Sequence, residues 1–362
     1  MRIRVTDLFA GAGGLSRGLT EASSLFEMAQ AVEIDVDAAL TYAANFPKAD
    51  VIHAPIEEWI TNGRITHADV IVGGPPCQGF SPLGKRRVDD EKNHLWELYA
   101  AAVNRISPRY FVMENVPQFI KSPQKEVFLR ALESGPLENY VASIHLVNAA
   151  DYHTPQSRKR MIILGSRRDC PTLEMPAPEE FPPLRRTVRE AFVGLPKSVH
   201  SIDLPNRATE SQGVKRPGPF LTSELHLTRR YEQISKDRFE AIPPGGNRFD
   251  LPDHLKTRCW LNHTSGSGDV MGRLYWDRPS VTIRTEFFKP EKGRYLHPTE
   301  HRAITHHEAA RLMGFPDDYK WVGSKTSIAR QIGNAVPVPL AKAIGQEIVK
   351  RFQQIEDFTS HP

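Results

Sequence analysis

The chain has 362 residues, 40% hydrophobic and 25% charged, which suits a soluble globular protein long enough for two domains. No apolar run approaches the roughly 18 residues of a membrane span, the N-terminus MRIRVTDLF has no signal core, and three scattered cysteines (Cys77, Cys170, Cys259) without a CxxC pair argue against disulfides or a zinc site. The net charge of +4 is uneven, with fifteen Lys+Arg against ten Asp+Glu over residues 185–273 and a balance near −1 elsewhere. We therefore expect a cytoplasmic protein whose basic segment suits a polyanion, although such runs are usually solvated faces.

Residues 2–9 read as a strand, and DLFAGAGGLSRGL (7–19) turns through glycines into a helix. A strand, a glycine turn and a helix N-terminus set backbone N–H groups and the helix dipole before a ligand. The string is not a strict GxGxxG, and a tight strand-to-helix turn would also explain it. Glu33 closes the next apolar strand (28–32), twenty residues after Gly13, where a carboxylate can accept from ribose hydroxyls. Together they suggest a nucleoside-containing cofactor. A helix over 36–46, a short strand near Val51 and a helix near Glu57 lead to the apolar run Val70–Val72, a buried strand.

GGPPCQGFSP (73–82) follows it and holds Cys77 on a stiff turn at the strand's end. An isolated cysteine is most often a small buried hydrophobe, but two prolines before it and Gln-Gly after it do not belong in a core strand. Residues 92–106 have helical spacing, and YFVMENVP (110–117) reads as a strand ending in Glu114 and closed by Pro117. A lone strand-end Glu is more often a cap or turn residue. On the same carboxyl edge as a turn-borne thiol it becomes a candidate acid, and strands alternating with helices imply a parallel sheet with such an edge. Strands at 140–148 and 160–166 flank DYHTPQSRKR (151–160), where Arg158 and Arg160 would share one face of an extended segment. They read either as a surface patch or as a guanidinium pair aimed at the same cleft.

From Cys170 the texture changes: residues 171–277 are Pro- and Gly-rich without α/β alternation and read as a second, loop-rich domain. Regular patterning resumes at RPSVTIRTEFF (278–288) and in the helix HHEAARLMG (306–314), which Gly314 ends. QIGNAVPVPLAKAIGQEIVKRF (331–352) reads as a turn and then an amphipathic helix that Pro337 or Pro339 could start.

In this order the strings resemble those of the C5-cytosine DNA methyltransferase family, of the bacterial restriction-modification or orphan type, over nearly the whole chain outside roughly 171–277. DLFAGAGGL and VEID (32–35) resemble its cofactor motifs, GGPPCQGFS its catalytic-cysteine motif, MENVP its acid motif and TPQSRKR its arginine motif. HEAARLMGFPDDY (307–319) and QIGNAVPVPLA resemble its last two. The resemblance implies an α/β fold: a Rossmann-like S-adenosylmethionine-dependent methyltransferase sheet with a second, smaller target-recognition domain. It implies a catalytic and cofactor-binding domain over 1–170 and target recognition over 171–325 (core 171–277, return motif 278–325). Residues 326–362 would then form a C-terminal helix returning to the catalytic domain. Cys77 matches the nucleophile, Glu114 the acid, and Arg158 and Arg160 the guanidinium pair. Phe9, Ala10, Gly11, Gly13, Glu33, Ile34, Ile56, Pro76, Leu95, Asn334 and Ala335 match the S-adenosylmethionine pocket, Gln78 and Ser81 match positions close to DNA, and no metal is implied. Two departures stand out. Pro55, in HAPIEE (53–58), replaces the aspartate that usually faces the adenine amine, which is expected to weaken cofactor affinity. His153-Thr154 replaces the usual Gly and apolar residue before Pro155-Gln156 and is expected to be harmless.

The implied chemistry explains these residue types. C5 of cytosine is too weak a nucleophile to take a methyl group from a sulfonium directly, and a thiolate adding at C6 makes it reactive. Free cysteine, with a pKa of ~8.5, is mostly protonated, so Arg158 and Arg160 would help Cys77 ionise. Glu114 would contact N3, protonated or sharing a proton, with a raised pKa. A duplex hides C6, so the base must be flipped out, and a second, basic domain would grip phosphates and read base edges. The expected partners are double-stranded DNA and a cognate restriction endonuclease, with no membrane and a monomeric state. Three other readings stay open: a tRNA cytosine methyltransferase, which the long 171–277 insert disfavours; a catalytically silent DNA-binding homologue; and a Rossmann-like oxidoreductase, which leaves Cys77 and Arg158 without a role.

Overall fold

The apolar runs of the N-terminal half become strands of one sheet. The computed structural model describes residues 1–76, 95–178, 185–211, 213–262 and 265–360. Two units emerge: Met1–Tyr152, Lys159–Pro183 and Val336–Pro362 form the first, and His153–Arg158 with Leu184–Ala335 the second. These limits differ from the sequence-read ones, since residues 153–158 join the second unit and the chain returns to the first at Val336.

In the first unit the elements are β1 (Ile3–Leu8), α1 (Gly14–Ala22), β2 (Phe26–Glu33), α2 (Val36–Asn45), β3 (Asp50–His53), α3 (Ile56–Asn62), β4 (Val70–Gly73), α4 (Leu95–Ile106), β5 (Tyr110–Asn115), α5 (Gln124–Ser134), β6 (Tyr140–Asn148) and β7 (Lys159–Arg167). The sheet order is β3-β2-β1-β4-β5-β7-β6. The pairings from β3 to β5 are parallel, and β7 runs antiparallel to both neighbours. Strand direction of winding reverses between β1 and β4, which opens a crevice at the carboxyl ends. Central strands are covered on both faces, so they carry apolar runs rather than alternation. One face packs Val5, Leu19, Tyr42 and Ile344, and the other packs Trp59, Trp96, Tyr99 and Phe111.

The second unit has little regular structure. It holds α6 (Val188–Ala191), the hairpin of β8 (Ala208–Ser211) and β9 (Val214–Pro217), β10 (Phe220–Leu221), α7 (Gln233–Ala241), α8 (Arg258–Asn262), α9 (His306–Leu312), β11 (Lys320–Trp321, paired with β10) and α10 (Lys325–Asn334). Buried polar pairs organise it, notably Arg302 with Glu308 at 2.7 Å. Residues 278–288 form no strand. The Gln156 side chain accepts from Ile283 N at 2.8 Å, and Ser280 makes only an isolated bridge to Gln156. α9 begins in a Thr305–Glu308 capping box and ends before Gly314, whose φ is 84°. QIGN, expected to be a turn, instead closes α10, which Ser324 caps.

The C-terminal helix α11 (Val338–Ser360) rejoins the first unit against α1. A Cβ on Gly18 would stand 2.3 Å from the Cβ of Ala341, so that contact requires glycine. Among the described residues no helix is long and apolar enough to cross a membrane.

Candidate functional site

The glycine turn after β1 is left-handed three times, at Phe9 (φ 55°), Gly11 (54°) and Gly13 (84°). Gly13 begins α1 without a side-chain cap, and a Cβ on Gly11 would meet nothing within 4 Å. The space before this turn is therefore open. Glu33, at the end of β2, accepts Gly11 N on Oε2 at 2.8 Å and Asp35 N on Oε1 at 2.7 Å. Burial raises its pKa against the pull of those N–H groups, and each oxygen keeps further acceptor capacity. Ile34 follows with 66% exposure, an apolar face beside the acceptor. Pro55 starts α3 with no side-chain cap, and the Ile56 side chain belongs to the core. An open glycine cradle, a fixed carboxylate and an exposed apolar face fit the adenosine half of S-adenosylmethionine.

Beneath the turn lies a network that the sequence reading missed. Ser16 Oγ donates to Asp7 Oδ2 at 2.6 Å and lies 2.7 Å from the Tyr42 hydroxyl. Burial pushes Asp7 up to about 8, and the charge of Glu33 adds to this. A carboxylate within the apolar strand IRVTDL was the available signal.

Along the same sheet edge, Arg160 Nε stands 2.6 Å from Glu114 Oε1, with side chains 14% and 12% exposed. The cause is topological. β7 is antiparallel to β5, and the pairing of Asn115 with Met161 brings the start of one strand beside the end of the other. On the far side of the carboxylate, a Cβ on Gly74 would lie 3.2 Å from Glu114 Oε2, so glycine leaves that oxygen room. Asn115, another residue missed, is buried and donates from Nδ2 to Pro75 O at 3.0 Å. This bond fixes the chain as it leaves β4. Pro76 and Leu95 are half-buried at the ends of the described segments, while Cys77, Gln78 and Ser81 lie outside the described residues.

Arg158 does not join Arg160. Alternation holds only within a strand, and β7 begins at Lys159. Arg158 is 3% exposed and donates from Nη1 to Ile283 O and from Nη2 to Gly333 O, both at 2.9 Å, within the second unit. A Cβ on Gly333 would stand 2.5 Å from Thr285 N, so the junction needs glycine too. It fixes the peptide just before Asn334, which is exposed, and Ala335, which is buried. The His153-Thr154 departure has consequences after all. His153 takes a φ of 59°, and Thr154 is fully buried with Oγ1 lacking a hydrogen-bond partner among the described residues.

Among the described residues no group of three or more His, Cys, Asp or Glu is arranged to hold a metal. Residues 3–350 match the family described as C-5 cytosine-specific DNA methylase. The chain is 32% identical over 363 residues to the Type II methyltransferase M1.HphI of Haemophilus parahaemolyticus, covering 97% of this chain and 87% of that one. It is 32% identical over 378 residues to the Type II methyltransferase M.XorII of Xanthomonas oryzae pv. oryzae, covering 96% and 85%. Among solved structures, a candidate DNA modification methyltransferase encoded within an E. coli prophage superposes with a TM-score of 0.71 at 25% identity, covering 97% of this chain and 99% of that one. The S. pombe Dnmt2 methyltransferase, at 18% identity and a TM-score of 0.57 over 98% and 99% of the two chains, shares the fold.

Proposed function

Because the chain belongs to the C-5 cytosine-specific DNA methylase family, we propose that Cys77 is its nucleophile and that Glu114 and Arg160 hold the target base. The protein is an S-adenosylmethionine-dependent enzyme that methylates C5 of cytosine in DNA. The finer reading is a cytosine flipped out of one specific duplex sequence and joined transiently through C6 to Cys77.

S-adenosylmethionine, when bound, supplies an electrophilic methyl group. The glycine turn, Glu33 and Ile34 hold its adenosine. The Cys77 thiolate forms a bond to C6, and the displaced ring electrons make C5 nucleophilic. Glu114 meets N3 through the Oε2 side that Gly74 leaves open, while Arg160 holds Oε1 and orients the carboxylate. This differs from a carboxyl group in an apolar pocket, because Glu114 has a guanidinium partner. Once C5 carries the methyl group, its proton leaves to a base, the C5–C6 double bond re-forms, and the Cys77 thiolate departs. Gln78 and Ser81 contact DNA beside the flipped base, and the second unit grips the duplex. Arg158 acts by fixing the Gly333 peptide rather than by facing the base. We further propose that the enzyme acts as a monomer and protects a site that a cognate endonuclease cuts.

The observation that supports this reading most is the Glu114–Arg160 pair beside Gly74 and Pro75, three and two residues ahead of Cys77. Bisulfite sequencing of plasmid from cells expressing the chain should reveal one modified sequence. Purified parent should cross-link to a 5-fluorocytosine duplex and leave tRNA unmethylated, and Cys77→Ala should do neither reaction on DNA. Full methylation by Cys77→Ala would remove the nucleophile assignment.

A further inference from the structure

We propose that the exposed face of α8 formed by Arg258, Leu261 and Asn262 reads base edges and so sets the sequence this enzyme methylates. The inference rests on the reading that the second unit contacts DNA, and it names the surface and the residues that do so. The three residues stand at i, i+3 and i+4, hence on one side of the helix. Arg258 and Asn262 are exposed, and Leu261 is 45% exposed. Trp260, half-buried, packs on the lobe core of Phe239, Ile242, Leu251 and Leu255, with Arg238 stacked 5.3 Å over its ring. The outward Arg and Asn side chains make no hydrogen bond or ion pair among the described residues.

The surroundings select a polyanion. From residue 254 to residue 268 the sequence holds no carboxylate. Lys256 in this stretch is already paired with Asp253 at 2.9 Å, which leaves Arg258 as the unneutralised cation of the face. A single exposed leucine means little. Between an unpaired Arg and an unpaired Asn, it offers the apolar contact that a thymine methyl takes, while Arg and Asn carry the forks that match guanine O6/N7 and adenine N6/N7. One helical turn is narrow enough for the major groove.

Readout also needs a rigid mount, and a five-residue helix is not stable alone. Here the base of the loop is tied by guanidiniums. Arg294, 7% exposed, donates to Gly245 O at 2.9 Å and Gly268 O at 2.8 Å. Arg248 donates to Ser265 O at 3.0 Å, and Arg238 to Leu255 O at 2.7 Å. The chain on either side of α8 is therefore fastened to other segments of the second unit. Gly272 lets Arg294 reach this position, since a Cβ there would lie 2.9 Å from its Cγ.

The test begins with the site mapped for the parent enzyme, followed by steady-state methylation of duplexes carrying each single base-pair change. Arg258→Ala and Asn262→Ala should each lower kcat/KM on the parental site about 10- to 100-fold. The loss should shrink on duplexes altered at one particular base pair, so that discrimination there falls by the same factor. Cofactor Kd and melting temperature should stay at parental values. Arg258→Lys should recover affinity for unrelated DNA but not the discrimination. Equal losses on every duplex, with the salt dependence of binding reduced by about one phosphate contact, would make Arg258 a backbone contact and overturn the proposal, as would parental kinetics in all variants. A parent that neither binds nor modifies DNA would remove the reading underneath, and this inference with it.

Discussion

Glu114 and Arg160 form an ion pair, 2.6 Å from Oε1 to Nε, because β7 runs back along β5. Arg158, two residues earlier, is buried on the carbonyls of Ile283 and Gly333. Adjacent arginines of one motif therefore act on different things.

Turnover should separate them accordingly. Arg160→Met and Glu114→Gln should each lower kcat by about 10²- to 10⁴-fold, the range of a misplaced acid–base group, and Arg160→Met, which leaves the mostly buried Glu114 carboxylate without its partner, should lower the melting temperature as well. Arg158→Met leaves two buried carbonyls without their donor, a penalty of about 1–3 kcal/mol each, so its melting temperature should drop by several degrees. Calorimetry beside methyl-incorporation kinetics separates the two. A common pattern for Arg158→Met and Arg160→Met would contradict the division.

The departure at His153-Thr154 gives a stabilising pair. His153 sits at φ 59°, where L-residues pay about 1–2 kcal/mol and glycine does not. The Thr154 hydroxyl is buried without a hydrogen-bond partner among the described residues, and Val would fill the same volume. His153→Gly and Thr154→Val should each raise the melting temperature by a few degrees with kcat unchanged. A fall in either would mean that the side chain makes contacts worth more than the strain.

The sequence made the strands of the parallel half legible because buried strands are uninterrupted apolar runs, as in Val70–Val72 and Tyr110–Met113. The place of Glu33 at the end of β2 was legible for the same reason, because a strand end is local information, whereas its N–H donors from Gly11 and Asp35 were not. The strand that carries Arg160 was legible but not its ion pair with Glu114, since an antiparallel β7 between β5 and β6 depends on pairing across more than forty residues. Arg158 misled because a two-residue spacing says nothing about where a strand begins. Asn115, whose side chain holds Pro75, had no periodic signal at all. In the second unit, buried side-chain hydrogen bonds replace ladders, as Gln156 does for Ile283, and such bonds leave no pattern in a chain.

Asp7 should make stability fall with pH. Its folded pKa of about 8 lies above the usual 3.8, so folding takes up a proton between those values. The contribution is full below 3.8 and is lost as pH rises to 8, with a slope of at most about 1.4 kcal/mol per pH unit. Asp7→Asn keeps an acceptor for Ser16 and does not titrate. Urea midpoints at several pH values should show the variant gaining on the parent from pH 5 to pH 8. A constant difference across that range would show Asp7 ionised throughout.

Pro55 offers a gain of function. It begins α3 at φ −59° and ψ 146°, exposed and without a side-chain cap, a backbone geometry any residue adopts. Aspartate there can accept an N–H of the first turn, worth about 1 kcal/mol, and can also face the adenine amine. Serine can cap but brings no charge. Both Pro55→Asp and Pro55→Ser should therefore raise the melting temperature of the free enzyme. Only Pro55→Asp should tighten S-adenosylmethionine, by about tenfold, if the charged hydrogen bond is worth about 1.5 kcal/mol. Isothermal titration of the three proteins decides the matter. Equal affinities for the Asp and Ser variants would mean that the adenine amine lies elsewhere and that Glu33, Ile34 and backbone groups alone select the nucleoside.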